Sequence, residues 1–213
     1  VIAIFNKKIE EQKLNKYTIE VMPNIGNGEV VIDPKKDFYN EGELIDISAK
    51  ANSGYIFSNW NGIDSNEDSI QIKIEKNYSI SADFVEREAT YMIYMAGDND
   101  LESAAIQDIN ELEGVNFYKR PVSVLVLIDR ANGYDATNQN WTGTRIYEIK
   151  TDKNGVDGTI VSKEIFCNSL NITENYETEL NMADPNVLNS FINYSQEYYN
   201  AKKYGLIVWG HGT

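Results

Sequence analysis

Imidazole and thiol are nearly absent from this 213-residue sequence, which holds one histidine, His211, and one cysteine, Cys167. A single thiol rules out an internal disulfide. One thiol and one imidazole also cannot assemble the usual zinc sets of Cys and His, so any imidazole chemistry in the chain falls to His211. Cations are scarce as well: 19 Lys and Arg stand against 33 Asp and Glu, a net charge of −14. That balance argues against nucleic acid as a main partner, because a phosphate backbone is bound by clustered Lys and Arg. The acid excess is not gathered in long blocks and reads as a solvated surface, one that would also steer cationic substrates inward. No run reaches the roughly 18 apolar residues of a transmembrane segment. The sequence does not open on Met. Its apolar residues 1–5 and polar residues 7–16 read as a tether left by signal removal or cloning, spanning 1–16.

What is present is ordinary globular material, 42% hydrophobic and 24% charged, which is enough to build a core. It follows two patterns. Residues 17–87 alternate with period two, as half-buried strands require. Tyr17-Thr18-Ile19-Glu20-Val21, Leu44-Ile45-Asp46-Ile47-Ser48-Ala49, Ile70-Gln71-Ile72-Lys73-Ile74 and Tyr78-Ser79-Ile80-Ser81-Ala82-Asp83-Phe84 are the clearest cases. Turn formers such as Asn40-Glu41-Gly42 and Asn52-Ser53-Gly54 separate them. This predicts a small all-β module. Tyr55, Phe57 and Trp60 either form a sugar-binding platform or fill the module's core, and the burial preference of large aromatics favours the core.

From residue 88 onward the pattern is α/β. Tyr91-Met92-Ile93-Tyr94-Met95-Ala96, residues 122–128 and Leu206-Ile207-Val208-Trp209 are continuous apolar runs, suited to parallel strands covered on both faces. A helix is expected from Leu101 to about Glu113, with Leu101, Ala105, Ile109 and Leu112 on one face. A second starts with Asp184 as N-cap and Pro185 at the first position; its buried stripe is Val187, Leu188, Phe191, Ile192, Ser195, Tyr198 and Tyr199. Between them, Arg145-Ile146-Tyr147-Glu148-Ile149 and residues 161–166 read as a β-hairpin lying apart from the parallel sheet. Alternating strands and helices argue for a layered α/β fold with right-handed crossovers.

The chemistry concentrates where these strands end. Ligands of open α/β sheets bind beyond the carboxyl ends of the strands, and His211 follows the third strand at once, flanked by Gly210 and Gly212. A Gly there can turn a backbone N–H toward a reacting centre, so Gly212 is a candidate oxyanion donor. Taken alone, the heptapeptide fits a structural His in a glycine turn equally well. Asp98, Asn99 and Asp100 follow the first strand. They offer three oxygens in a row for calcium, but a full site takes six to eight. Capping of the first helix by Asp100, with Asp98 and Glu102 complementing its dipole, explains them better. Asp129 and Arg130 end the second strand, either to contact substrate or to pair across a loop. Trp141 either rims the cleft or anchors its loop.

Taken together, Tyr94-Met95-Ala96-Gly97-Asp98-Asn99-Asp100-Leu101-Glu102, Ile128-Asp129-Arg130 and Trp209-Gly210-His211-Gly212 resemble the clostripain-like cysteine peptidases, family C11 of the caspase-like clan. The preceding segment resembles the repeat domains of secreted Gram-positive surface proteins, through Gly28-Glu29-Val30, Tyr39-Asn40-Glu41-Gly42, Gly54-Tyr55-Ile56-Phe57 and Ser79-Ile80-Ser81-Ala82-Asp83-Phe84. The resemblance implies a partial caspase-like layered sheet over 88–213 behind a small all-β domain over 17–87. It implies a secreted or cell-surface bacterial endopeptidase that cuts protein or peptide substrates after Arg or Lys. His211 would be the base toward a Cys thiol, and Asp98 and Asp129 would line the substrate side. In that family the nucleophile ends the strand after the His. The Cys is therefore expected beyond Thr213, on a C-terminal chain or segment, and this chain alone is expected to be catalytically silent. Cys167 precedes His211 and sits on the hairpin, a poor place for a nucleophile. The dyad requires no cofactor, and calcium stays open as an accessory ion. The rival reading is a non-enzymatic surface binding or adhesion protein with a caspase-like scaffold; a Ser–His hydrolase is a second.

Overall fold

The computed structural model describes residues 15–174 and 178–211. The alternating segments fold as expected into strands β1 (Lys16–Tyr17), β2 (Ile19–Val21), β3 (Gly28–Asp33), β4 (Tyr39–Asn40), β5 (Leu44–Ala51), β6 (Tyr55–Asn61), β7 (Ser69–Lys73) and β8 (Tyr78–Glu86). Two three-stranded sheets, ordered β2-β8-β6 and β3-β5-β7, and a short β1-β4 pair make up this part. Their inward faces enclose one core of Tyr39, Ile45, Ile47, Trp60, Ile74, Ile80 and Phe84, with Tyr55 and Phe57 packed against it. The Phe57 and Trp60 rings lie 5.3 Å apart, and Trp60 Nε1 donates to the Glu67 carbonyl. The aromatics therefore serve packing.

The second part is a five-stranded sheet built from β9 (Ala89–Gly97), β10 (Val122–Arg130), β11 (Gly143–Glu148), β12 (Lys163–Ile165) and β13 (Lys203–Trp209). Its order is β12-β11-β10-β9-β13. β10 and β13 run parallel to β9, one on each side, while β11 and β12 are antiparallel. The hairpin, expected to lie apart from the parallel strands, is instead part of their sheet. It hydrogen-bonds to β10 and makes the sheet mixed, because a strand pair left with an open edge beside β10 satisfies its backbone groups there.

Helices cover the two faces. α1 (Glu102–Glu113) packs Ala105, Ile106 and Ile109 on Ile93, Met95, Val124, Val126 and Ile128. α2 (Pro185–Tyr198) packs Val187 and Phe191 on Met92, Tyr94, Leu125 and Leu127 on the other side. Leu125, Val126, Leu127 and Ile128 are wholly buried, and each contributes roughly 1.5–3 kcal/mol, so β10 is the spine of this layer. Asp184 caps α2 as expected, its carboxylate accepting from the Asn186 N–H at 2.9 Å. Tyr198, expected in the buried stripe, is exposed and stacks on Tyr194; the helix turns its last residues out of the core.

β13 differs from its neighbours. Leu206, Ile207 and Val208 are exposed, and among the described residues its outer edge has no strand beside it. The β-rich part meets the sheet at the opposite end from where β9 and β13 stop. Arg87 N–H donates to the Gly54 carbonyl, Tyr118 to Asn59, and Lys153 pairs with Glu67. No helix among the described residues is long and apolar enough to cross a membrane.

Candidate active site

The carboxyl ends of β9, β10 and β13 lie side by side, with Asp129 beside Ala96 and Trp209 beside Met95. Neighbouring strands are about 4.8 Å apart, so the loops leaving these three strands share one edge. Two details fix the exit of β13. Trp209 Nε1 donates to Asp108 Oδ2 of α1 at 2.7 Å, pinning the strand end to the helix. Gly210 then takes a φ of 155° beside Ala96, a backbone conformation that suits glycine.

His211 emerges from this exit. Its Nε2 lies 2.7 Å from Asp100 Oδ1, and both side chains are more than half exposed. Asp100 is therefore not the cap of α1. Leu101 occupies the N-cap position without a side-chain hydrogen bond. Asn99 shapes the loop instead: its Nδ2 donates to the Ala96 carbonyl, its Oδ1 accepts from the Leu101 N–H, and its carbonyl accepts from Glu102 N–H. Glu102 does not face solvent at the helix start either. It is buried and accepts from Arg130 Nε at 2.5 Å and from the Asp135 N–H at 3.0 Å.

Arg130 is wholly buried and also donates to the Asp135 carbonyl, so it pairs across a loop and does not reach substrate. Its guanidinium lies 4.7 Å from the Trp141 ring centroid, and that of Arg145 lies 4.3 Å from it. Trp141 is the buried anchor of its loop.

Asp98 and Asp129, the two expected substrate-side carboxylates, do come together, and Glu179 joins them; one oxygen from each lies within 4.8 Å of the others. Asp98 and Glu179 are exposed, whereas Asp129 is buried and accepts one hydrogen bond, from Thr144 Oγ1 at 2.7 Å. Burial pushes Asp129 up to about 7, with the charges of Glu179 and Asp98 adding to it. Glu179 is also raised, by burial and then by Asp98. Such a group suits a guanidinium or ammonium. It does not make a calcium site on its own, since it supplies three of the six to eight oxygens calcium takes. The consecutive Asp98, Asn99 and Asp100 do not converge at all, because each is engaged by a different partner.

The structure thus separates two pairings that the sequence left mingled, the imidazole with Asp100 and the carboxylate group around Asp129. Gly212 lies outside the described residues. Cys167 is buried, its Sγ lies 3.2 Å from Ser169 Oγ, and it follows β12 at the far edge of the sheet. Four strand spacings, about 19 Å, separate that edge from β13, so Cys167 cannot serve His211. Sequence reasoning did not single out Asp100 as the imidazole's partner, nor Glu179 at all; Glu179 sits in an irregular loop that carries no pattern.

Residues 93–213 match the model of the clostripain family, and residues 17–88 match the model of the divergent InlB B-repeat domain. Clostripain of Hathewaya histolytica is 34% identical over 131 residues, which cover 59% of this chain and 24% of that protein. The chain thus spans about a quarter of the length of this curated relative. Among solved structures, a B. fragilis cysteine protease is 26% identical, with 59% of this chain and 90% of that one covered and a TM-score of 0.41. A clostripain from Bacteroides thetaiotaomicron in complex with a peptide inhibitor is 19% identical, with 61% and 94% covered and a TM-score of 0.38.

Proposed function

The chain belongs to the clostripain family, and from that premise we propose that it is the His-bearing part of a secreted cysteine endopeptidase that cleaves peptides after Arg or Lys. The observation that carries the reading is the placement of His211 at the carboxyl end of β13, beside a strand edge with no neighbour among the described residues and apolar side chains in the open. A further strand laid on that edge would bring a thiol about 4.8 Å from the β13 backbone. The nucleophilic Cys comes from outside residues 1–213, since Cys167 is at the wrong edge.

The thiol gives its proton to the imidazole and the thiolate attacks the scissile carbonyl. Gly212 offers its backbone N–H to the resulting oxyanion. Asp98 and Asp129, with Glu179, receive the cationic side chain of the residue before the cut. Secretion fits a chain whose first part matches a bacterial surface repeat.

The test is hydrolysis of a peptide with Arg before the scissile bond by the full-length protein, with and without His211→Ala. Expected are Arg-dependent cleavage, inactivation by iodoacetamide, and loss of at least about 1000-fold in kcat in the variant, since the imidazole and nucleophile act as a unit. Equal rates would sink the role of His211. No cleavage and no alkylation-sensitive activity would leave the non-enzymatic surface protein.

A further inference from the structure

The contact between His211 Nε2 and Asp100 Oδ1 decides which imidazole nitrogen can act as a base. A carboxylate only accepts, so at 2.7 Å the Nε2 must carry the hydrogen. The lone pair of the neutral ring then resides on Nδ1, because the hydrogen bond at one ring nitrogen sets the role of the other. Neither partner is placed by chance. His211 is held by the pinned end of β13, through Trp209 on Asp108, and by the turn that Gly210 makes at a φ of 155°. Asp100 is held by the Asn99 bonds that brace the loop after β9, and its carboxylate has no capping duty on α1.

We infer that Asp100 is a positioning residue of the peptidase. It fixes His211 as the Nε2–H tautomer with Nδ1 turned to the thiol, and it holds the imidazolium that forms once Nδ1 has taken the thiol proton. This rests on the peptidase reading above. In the step concerned, the S–H proton moves to Nδ1 and the sulfur pair forms the bond to the carbonyl carbon. The proton on Nδ1 then passes to the departing amine as the C–N bond breaks. Nε2–H stays on Asp100 throughout, so the carboxylate never takes a proton. The pair is solvent-exposed in this structure and would be screened by water; its effect grows when a neighbouring strand and the substrate exclude that water.

Two measurements test the inference. The first needs no activity. With one histidine in the chain, the 15N spectrum of the 213-residue protein contains one imidazole. In neutral form it is expected to show a hydrogen-bearing Nε2 and a bare Nδ1, with the Nδ1–H form appearing in Asp100→Ala. A tautomer mixture in the parent, or identical spectra in both proteins, overturns the inference.

The second uses the full-length protein. Asp100→Asn is expected to lower kcat about 10- to 100-fold on the Arg peptide at unchanged KM. Asp100→Glu should recover part of the loss. An unchanged kcat in Asp100→Asn overturns the inference while leaving the peptidase reading intact. An inactive parent whose spectra still differ from those of Asp100→Ala rejects the peptidase reading and, with it, the catalytic role of the pair.

Discussion

Asp129 is a carboxylate held in the interior with one hydroxyl donor and two acidic neighbours. Its raised value has consequences in two directions. The unfolded chain gives up this proton in the ordinary carboxylate range, whereas the folded chain keeps it to about 7. Between about pH 4 and 7 the folded state therefore binds more protons, and stability falls as pH rises through that window and levels off above it. Asp129→Asn should remove that part of the slope, as read from urea unfolding at pH 5 and pH 8. Under the proposed function, substrate binding by the full-length protein runs the other way. As pH rises from 6 to 8 the carboxylate gains charge, so KM for an Arg peptide should fall in the parent and stay high and flat in Asp129→Asn. A KM independent of pH in the parent would remove Asp129 from the substrate side. Residues such as this one show where sequence reading stops. Its position at a strand end was legible, but burial and the company of Glu179, 50 residues away, were not. Asp100 was misread for a related reason: local preference makes an Asp before a helix look like a cap, and its true partner lies 111 residues further on.

Elements were more legible than residues, because periodicity is a local property. Continuous apolar runs found β9, β10 and β13, and the Asp184–Pro185 pair found the start of α2. What periodicity does not contain is the identity of the strand next door. The alternation of Arg145 to Ile149 fits a free hairpin as well as it fits a hairpin paired to β10, and only the register of Leu127 with Ile146 decides it. β13 is the element with the sharpest physical consequence. An open edge carrying exposed apolar side chains is a template for other strands. The 213-residue chain should therefore self-associate at micromolar concentration, and Val208→Lys, which adds a charge at the most exposed of these positions, should shift it toward monomer. Light scattering across a dilution series checks this; a strictly monomeric parent would mean that the edge is already covered.

On the scale of the whole molecule, the β-rich part sits at the amino ends of β9 and β13 and the candidate site at their carboxyl ends. A strand of seven to nine residues at about 3.3 Å each puts roughly 23–30 Å between them. Arg87 is the hub of the junction. Its N–H reaches Gly54, its carbonyl accepts from Lys202, and its buried guanidinium donates to the Asn200 carbonyl and lies over the Tyr199 ring. Burial lowers its hold on the proton, while Glu148 acts in the opposite sense. Arg87→Ala should cost about 2 kcal/mol by removing the packing of a buried side chain and the donor to the Asn200 carbonyl. KM on the Arg peptide should stay as it was. A change in KM would mean that the junction communicates with the cleft.

The loop braced by Asn99 carries an implication for redesign. One short bracket holds Asp98 toward the carboxylate group and Asp100 toward the imidazole, so the two reach their partners on a common ruler. Lengthening or shortening that loop to admit a different side chain would drag the imidazole out of alignment in the same stroke. Glu179 arrives on a loop of its own, with no tie to the imidazole. Changes of specificity have a free route there, and selection experiments for new substrates should accumulate changes around Glu179 while leaving the span from Gly97 to Leu101 alone.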